Sequence, residues 1–309
     1  MKKEIDLSII IINFGNTKEY TRKCLASLSK AISKLNTEVI VVDNISNDGT
    51  REMIKKDFPK AIYIRKEEPH GFGENNNFGI KIAKGRYILL LNSDTEIIDE
   101  NIFVQMTAWL DRNPKVAVCT SALVCEDKKT LQGSGGSFPD LFRVFLWLTF
   151  LDDIPFIDIL ITPFHPLHPN SFIGRNDSYF TKEHQQDWVT GAFYMIRKEV
   201  LKDSGVFDED FNAYVEEVDL SYRIKKLGWQ IWYLPQWKTL HYGGVSYGSE
   251  NSIVFEMKNL KLFYKKHYPK WQLPILNILI KVGLILRIVL FFFINPKLSK
   301  IYAKAYKTV

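Results

Sequence analysis

The first hundred residues alternate apolar runs with amphipathic stretches, and that alternation constrains the fold more than any other feature of the chain. Leu7 to Ile12, Glu38 to Val42, Ala61 to Ile64 and Tyr87 to Leu91 are dominated by Ile, Val and Leu and read as strands. Lys18 to Leu35, Thr50 to Lys56 and Asn75 to Lys84 lie between them and read as helices. Strand and helix in turn predict an α/β fold with a mostly parallel, Rossmann-like central sheet covered by helices on both faces. Such sheets bind ligands beyond the carboxyl ends of their strands. There the apolar runs break off into polar clusters: "NFGN", "DNISNDGT" and, directly after three leucines, "NSDTE". Acids and amides gathered at neighbouring strand ends are costly unless something cationic or hydrogen-bonding fills the space between them.

The remaining composition narrows the class. With 309 residues, 46% of them apolar and 25% charged, the chain is an ordinary folded protein and not a disordered one. Cys24, Cys119 and Cys125 are an odd set without metal-type pairing, which reads as a reduced, intracellular chain. The opening "MKKEIDLSIIIINF" is interrupted by Glu4 and Asp6 and reads as a buried strand, not an export signal. The net charge of +6 is unevenly spread. From Asn251 onward eleven Lys/Arg face the single acid Glu256, leaving 30 minus 34, or −4, for residues 1 to 250. Long apolar runs such as "LILRIVLFFFI" interleave with those basic residues, which points to an anionic membrane surface and away from nucleic acid.

Farther along, Asn101 to Arg112 reads as a helix and "VAVCTSALVC" as strand. Leu141 to His168 is apolar, aromatic and Pro-broken, too interrupted to span a bilayer, and reads as an insertion or a greasy lip beside the site. "WVTGAFYMIRKEVL" reads as a strand ending at Ile196 that leads into a helix. A further helix begins near Glu216 and Glu217, where its dipole favours acids, and stops at Gly228. Three patterns mislead. "GFGENNNFG" lacks the third glycine of a dinucleotide fingerprint and does not emerge from a strand. "GVSYG" around Ser246 matches a hydrolase elbow, but no Asp follows it and His267 is the sole downstream histidine. His165 and His168 in "HPLH" have no third ligand to complete a metal set.

One constellation carries chemistry. Asp94 follows a strand, Glu216 and Glu217 open a helix, and His241 follows the strand-like "WYLPQWKTL". Mg²⁺ or Mn²⁺ held by one or two protein ligands plus substrate phosphate oxygens fits that inventory. In order, "SIIIINFGN", "EVIVVDNISNDGT", "GFGENNNFGIKIAKGRYILLLNSDTE", "WVTGAFYMIRKEVLKDSGVFDEDFNAYVEEVDLSYRIKKLGW" and "LHYGG" resemble a bacterial family 2 glycosyltransferase of the GT-A fold, in the rhamnosyltransferase-like branch that builds surface polysaccharides.

The resemblance implies roles position by position. Asn13 and Asp43 would contact the nucleotide, Asp43 accepting from a pyrimidine N–H, with Asn44 and Ser46 nearby. Gly71, Phe72, Asn76 and Asn77 would line the nucleoside pocket. Asn92, Ser93 and Asp94 occupy the D-x-D position, Asp94 and His241 would hold the metal, and the catalytic base would come from the Glu216–Glu217 pair, Glu217 standing at the family's position and Glu216 being the alternative. Trp188 and Gly191 would border the sugar, as a flat platform and a point of close backbone approach, with a buried structural role as the equal alternative for Trp188. Asn92 replaces the first Asp of the pattern, and Glu217 stands where Asp is commoner. The expected activity is inverting, metal-dependent transfer of a sugar from a dTDP- or UDP-linked donor to a hydroxyl of a polyprenyl-linked saccharide. A catalytically silent sugar-nucleotide binder and a Ser246 hydrolase are the rival classes.

The expected organisation is a catalytic domain over 1–245 and a membrane-associated helical tail over 246–309, at the cytoplasmic face of the membrane. Leu273 to Ile294 has 22 residues, enough to span, but Lys281 and Arg287 fall near its centre. Asn277, Lys281 and Arg287 share an arc of about 120° on a helical wheel, which predicts a helix lying in the interface with that arc toward water.

Overall fold

The computed structural model describes residues 4–154, 177–243 and 249–309. His165, His168, the Ser246 motif and the part of the Leu141 to His168 run beyond Ile154 lie outside the described residues.

The expected alternation is present as β1 (Leu7–Phe14), α1 (Lys18–Ala31), β2 (Thr37–Asn44), α2 (Thr50–Asp57), β3 (Ile62–Lys66), α3 (Phe72–Ile82) and β4 (Tyr87–Asn92). The strands form a parallel block in the order β3-β2-β1-β4. Its two-residue side-chain period divides the apolar runs between two layers. Ile9 and Ile11 pack with α1 residues Leu25 and Leu28 on one face, while Ile10 and Ile12 pack with Ile80 of α3 on the other. Helix α3 begins at Phe72, three residues ahead of the expected Asn75, because Gly71 in extended backbone acts as its N-cap.

Beyond β4 the sheet is mixed, which corrects the expectation of a mostly parallel one. β5 (Thr95–Ile97), α4 (Ile102–Arg112), β6 (Val116–Val124), β7 (Leu131–Gln132), β8 (Gly135–Gly136) and α5 (Leu141–Leu148) follow. Next come β9 (His184–Gln186), β10 (Trp188–Val189), β11 (Phe193–Arg197), the single turn α6 (Leu201–Ser204), α7 (Glu216–Lys226) and β12 (Gln230–His241). β11 inserts between β4 and β6 and runs antiparallel to both, and β12 is parallel to β6 but antiparallel to β5. Strand β11 thus enters the sheet at the edge where β4 leaves it, and the chain before Phe193 is delivered to the polar rim.

The tail consists of α8 (Ser249–His267), α9 (Gln272–Ile294) and α10 (Pro296–Thr308). It shares a core with the preceding chain: Met257, Leu260 and Phe263 of α8 and Leu276, Ile280 and Leu284 of α9 pack with Val144, Leu148, Trp188, Phe211 and Val218. The expected polar arc on α9 is not continuous. Lys281 is exposed, but Arg287 is only 5% exposed and donates to the carbonyls of Leu148 (2.5 Å) and Trp147 (2.7 Å) at the end of α5. The solvent side of α9 is instead apolar, with Ile278 63%, Val289 56%, Phe292 64% and Phe293 79% exposed.

Candidate functional site

Register explains why the polar residues converge. Asn13 pairs with Asp43 across β1 and β2, and Ile12 pairs with Asn92 across β1 and β4, so the strand-end clusters reach one rim. On the other side, His241 pairs with Thr95 across β12 and β5, and the Tyr242 amide donates to the Asp94 carbonyl at 2.9 Å. A cavity of about 260 Å³ opens at this junction, and Asp94, His241, Glu216 and Glu217 all line it. Asn92, Ser93, Phe72 and Gly191 are on its walls as well.

The donor set favours a cation. Asp94 is 2% exposed, and its Oδ1 has no hydrogen-bond partner although it lies 3.4 Å from His241 Nε2. The hydroxyl of Ser93 next to it is likewise buried and unpartnered. Gln132 holds the histidine from behind, its Oε1 2.8 Å from His241 Nδ1 and its Nε2 donating to the His241 carbonyl at 2.7 Å. An amide oxygen can only accept, so Nδ1 carries a proton, and in the neutral imidazole that leaves the Nε2 lone pair facing Asp94. One carboxylate oxygen and one imidazole nitrogen left free at this spacing fit a divalent ion. Among the described residues no cluster of three or more His, Cys, Asp or Glu could hold one, so the remaining ligands would come from substrate oxygens and water.

Glu216 and Glu217 open α7 from an unusual start. Tyr214 (φ 66°) and Val215 (φ 73°) are both left-handed, a conformation costing on the order of 1–3 kcal/mol per residue and rare for a β-branched side chain. This turn points the first residues of α7 into the cavity. Glu216 is 2% exposed with Oε2 unpartnered; burial, followed by the charge of Glu217, raises its pKa well above the usual carboxylate range. Burial also pushes Glu217 up, to about 7, against the lowering effect of its own amide and the Gly191 amide, which donate to the carboxylate. A carboxylate poised near neutrality at a cavity wall has the properties of a general base. Gly191 has a second role: a Cβ there would come within 2.7 Å of the Phe72 ring.

Other expected site residues have structural partners instead. Asp43 accepts from Asn13 Nδ2 (2.9 Å), Ser46 N (3.2 Å), Ser46 Oγ (2.7 Å), Arg65 Nη1 (3.3 Å) and the Tyr63 hydroxyl. Those donors fill the roughly four lone-pair positions of a carboxylate, so a pyrimidine N–H reaches it only by displacing one. Asn13 is used in turn, accepting from the hydroxyls of Thr17 and Thr21. Asn44 pairs with both backbone groups of His70. Asn76 donates back to Phe72, and Asn77 clasps Phe207 and Glu209, so neither faces the cavity. Gly71 serves a close backbone crossing, since a Cβ would stand 2.5 Å from the Asn212 carbonyl oxygen. Trp188 is 3% exposed within the core shared with the tail and donates to the Ser137 carbonyl, so its ring offers no platform to a sugar.

The family model for glycosyl transferase family 2 matches residues 8–205, close to two thirds of the chain. The chain belongs to that family. This glycosyltransferase is 26% identical over 277 residues to the N-acetylglucosaminyl-diphospho-decaprenol L-rhamnosyltransferase of Mycobacterium tuberculosis, covering 83% of each chain. It is 24% identical to the rhamnosyltransferase WbbL of Escherichia coli K12 over 246 residues, 76% of this chain and 82% of that one. In fold it resembles GalNAc-T7, solved with UDP, GalNAc and Mn²⁺, at a TM-score of 0.62 and 16% identity; the match covers 88% of this chain and 50% of that one. The mannosyltransferase PcManGT from Pyrobaculum calidifontis, solved with GDP-Man and Mn²⁺, matches at a TM-score of 0.55 and 14% identity, covering 98% of this chain and 74% of that one. Glu216, Glu217 and His241 lie past the matched segment and reach the same cavity through α7 and β12. Gln132 and the Tyr214–Val215 turn were not visible in the sequence: Gln132 is 109 positions from its partner, and no glycine marks the turn.

Proposed function

We propose that this glycosyltransferase moves a sugar from a dTDP- or UDP-linked donor to a hydroxyl of a polyprenyl-linked saccharide, with inversion and with Mg²⁺ or Mn²⁺. The observation that supports it most is the meeting of Asp94 and His241 with Glu216 and Glu217 around one cavity. Asp94 and His241 would hold the cation, which when bound neutralises charge collecting on the departing diphosphate. Ser93 and Asn92 border the same wall. Glu217 takes the proton of the acceptor hydroxyl as that oxygen attacks the anomeric carbon on the face opposite the diphosphate. The carbon–oxygen bond to the diphosphate breaks, its electron pair leaves with the nucleoside diphosphate, and the proton stays on Glu217. One displacement inverts the anomeric configuration, and no carboxylate nucleophile is needed.

The apolar side of α9 and the exposed lysines Lys297, Lys300, Lys304 and Lys307 of α10 support docking on the anionic cytoplasmic face of a membrane, where a polyprenyl carrier resides. Helix α9 is, among the described residues, the one helix long and apolar enough to cross a bilayer. The Mycobacterium relative is named for a decaprenol-linked acceptor, which supports an acceptor of that kind here.

The decisive experiment supplies dTDP-L-rhamnose or a UDP-hexose with N-acetylglucosaminyl-diphospho-polyprenol in vesicles, with and without EDTA. Metal-dependent transfer giving the inverted anomer is expected. Metal-independent transfer, or retention of configuration, would refute this reading. Replacing Phe292 and Phe293 by Ser should weaken binding to anionic vesicles by about tenfold or more per ring, and unchanged binding would remove the docking assignment.

A further inference from the structure

The left-handed turn that begins the Glu216–Glu217 helix is held by a residue of the tail. Asn259, in α8, is 5% exposed and donates both of its amide hydrogens to successive backbone carbonyls, Ala213 at 2.6 Å and Tyr214 at 2.9 Å. Ala213 and Tyr214 line the cavity beside the two glutamates. Extended backbone turns successive carbonyls to opposite sides, so one amide group can reach both only when the chain curls helically. The left-handed pair Tyr214 and Val215 supplies that curl. Without Asn259 the carbonyls of Ala213 and Tyr214, the first of them buried, would lose this donor, and Val215 would be released toward its preferred extended region.

A second strut joins the same two helices. His267, the last residue of α8, places Nε2 2.6 Å from Oδ1 of Asp219, while Arg223 donates to Oδ2 at 2.7 Å and also to the carbonyls of Ser204 and Val206. Asp219 lies two residues past Glu217. Burial opposes its ionisation, but the His267 hydrogen bond and the charge of Arg223 hold its carboxyl below the usual range. Lys266 adds exposed pairs with Asp208 and Asp210, which contribute little.

We infer that Asn259 is a positioning residue for the general base: the tail helix clamps the left-handed turn and thereby aims Glu216 and Glu217 into the cavity. This rests on Glu217 as the base. It makes α8 part of the working site although the family match ends at residue 205.

The test uses the full chain carrying Asn259→Leu, which keeps the volume and removes both donors, beside Leu260→Ala, which loosens the same helix within its core. Asn259→Leu should lower kcat about 10- to 100-fold, the scale of a misplaced catalytic group. Affinity for dTDP and UDP, titrated with Mn²⁺, should change by less than about threefold, as expected when only a transition-state contact is lost. Its acidic limb in the pH-rate profile should move, and faster hydrogen exchange should be confined to amides 211–219. Leu260→Ala should lower Tm without moving the limb. The inference is overturned if Asn259→Leu reduces kcat no more than Leu260→Ala does, or if exchange at 211–219 is unchanged. Should Asn259→Leu fail to fold, Asn259→Ser, which retains one donor, decides by the same readouts. If Glu217→Gln proves fully active the base assignment falls, while exchange at 211–219 still reports whether the clamp exists.

Discussion

At the ends of β1 and β2, Asp43 is surrounded by donors from Asn13, Ser46, Tyr63 and Arg65, whereas at the end of β4 and the start of α7 single oxygens of Ser93, Asp94 and Glu216 reach no donor. Both regions are buried, acidic and at the same rim. The first is saturated and relaxed; the second is unsatisfied and begins from a strained turn. Buried polar atoms in folded proteins are nearly always paired, so a cluster of exceptions marks a place completed by a ligand. The Asp43 network ties three strands together, and the Asp94 region is the one proposed above to do the chemistry. Stability and activity should therefore separate between them.

The largest expected effect breaks the second region. Glu217→Gln should lower transfer by about 10²- to 10⁴-fold while leaving dTDP or UDP binding in place. Its effect on stability has the opposite sign. Because the folded carboxyl binds its proton up to about pH 7 and the unfolded one only to its ordinary value near 4.5, stability is lost as pH rises between those values. Glu217→Gln removes that loss, so above pH 7 its Tm should exceed the parent's by about 2–4 °C. A variant that is both inactive and less stable at pH 8 would erase the contrast between the regions. The parent's kcat should fall about tenfold per unit of pH below about 7, where the base is protonated.

Next in size, Gln132→Leu should weaken Mn²⁺ affinity by about 10- to 100-fold through loss of the histidine's orientation, with little change in Tm. The smallest effect on chemistry belongs to the saturated region. Asn13→Ala should cost about 1–3 kcal/mol of unfolding free energy per buried group left unpaired, read from urea melts, while kcat at saturating donor holds within about twofold. A collapse of kcat with unchanged stability would make Asn13 a direct contact of the reacting groups and dissolve the distinction.

The parallel half of the sheet was legible because its strands are buried on both faces and so read as unbroken Ile, Val and Leu runs. Asp94 and His241 follow or end strands and Glu216 and Glu217 open a helix, positions the sequence marks, and all four line one cavity. The antiparallel course of β11 was not legible, since a strand of five residues carries no mark of direction. The hydrogen bonds of Asn76, Asn77 and Trp188 were not legible for a common reason: amides and indoles that bind ligands and those that tie loops together look alike until their partners are known. The tail misled differently. Arg287 counts as polar on a helical wheel, yet two carbonyls at the end of α5 supply what water would, and a wheel contains no neighbours.

That arginine fixes the roll of α9. If α9 docks on a bilayer as proposed, turning the helix about its own axis would tear the guanidinium from the Trp147 and Leu148 carbonyls and present it to lipid, at about 2.5–3.5 kcal/mol on an insertion scale. Helix α5 and everything anchored to it would then share one heading relative to the bilayer plane. An enzyme moored this way does not swivel, and a carrier lipid diffusing past would meet it from a constant direction.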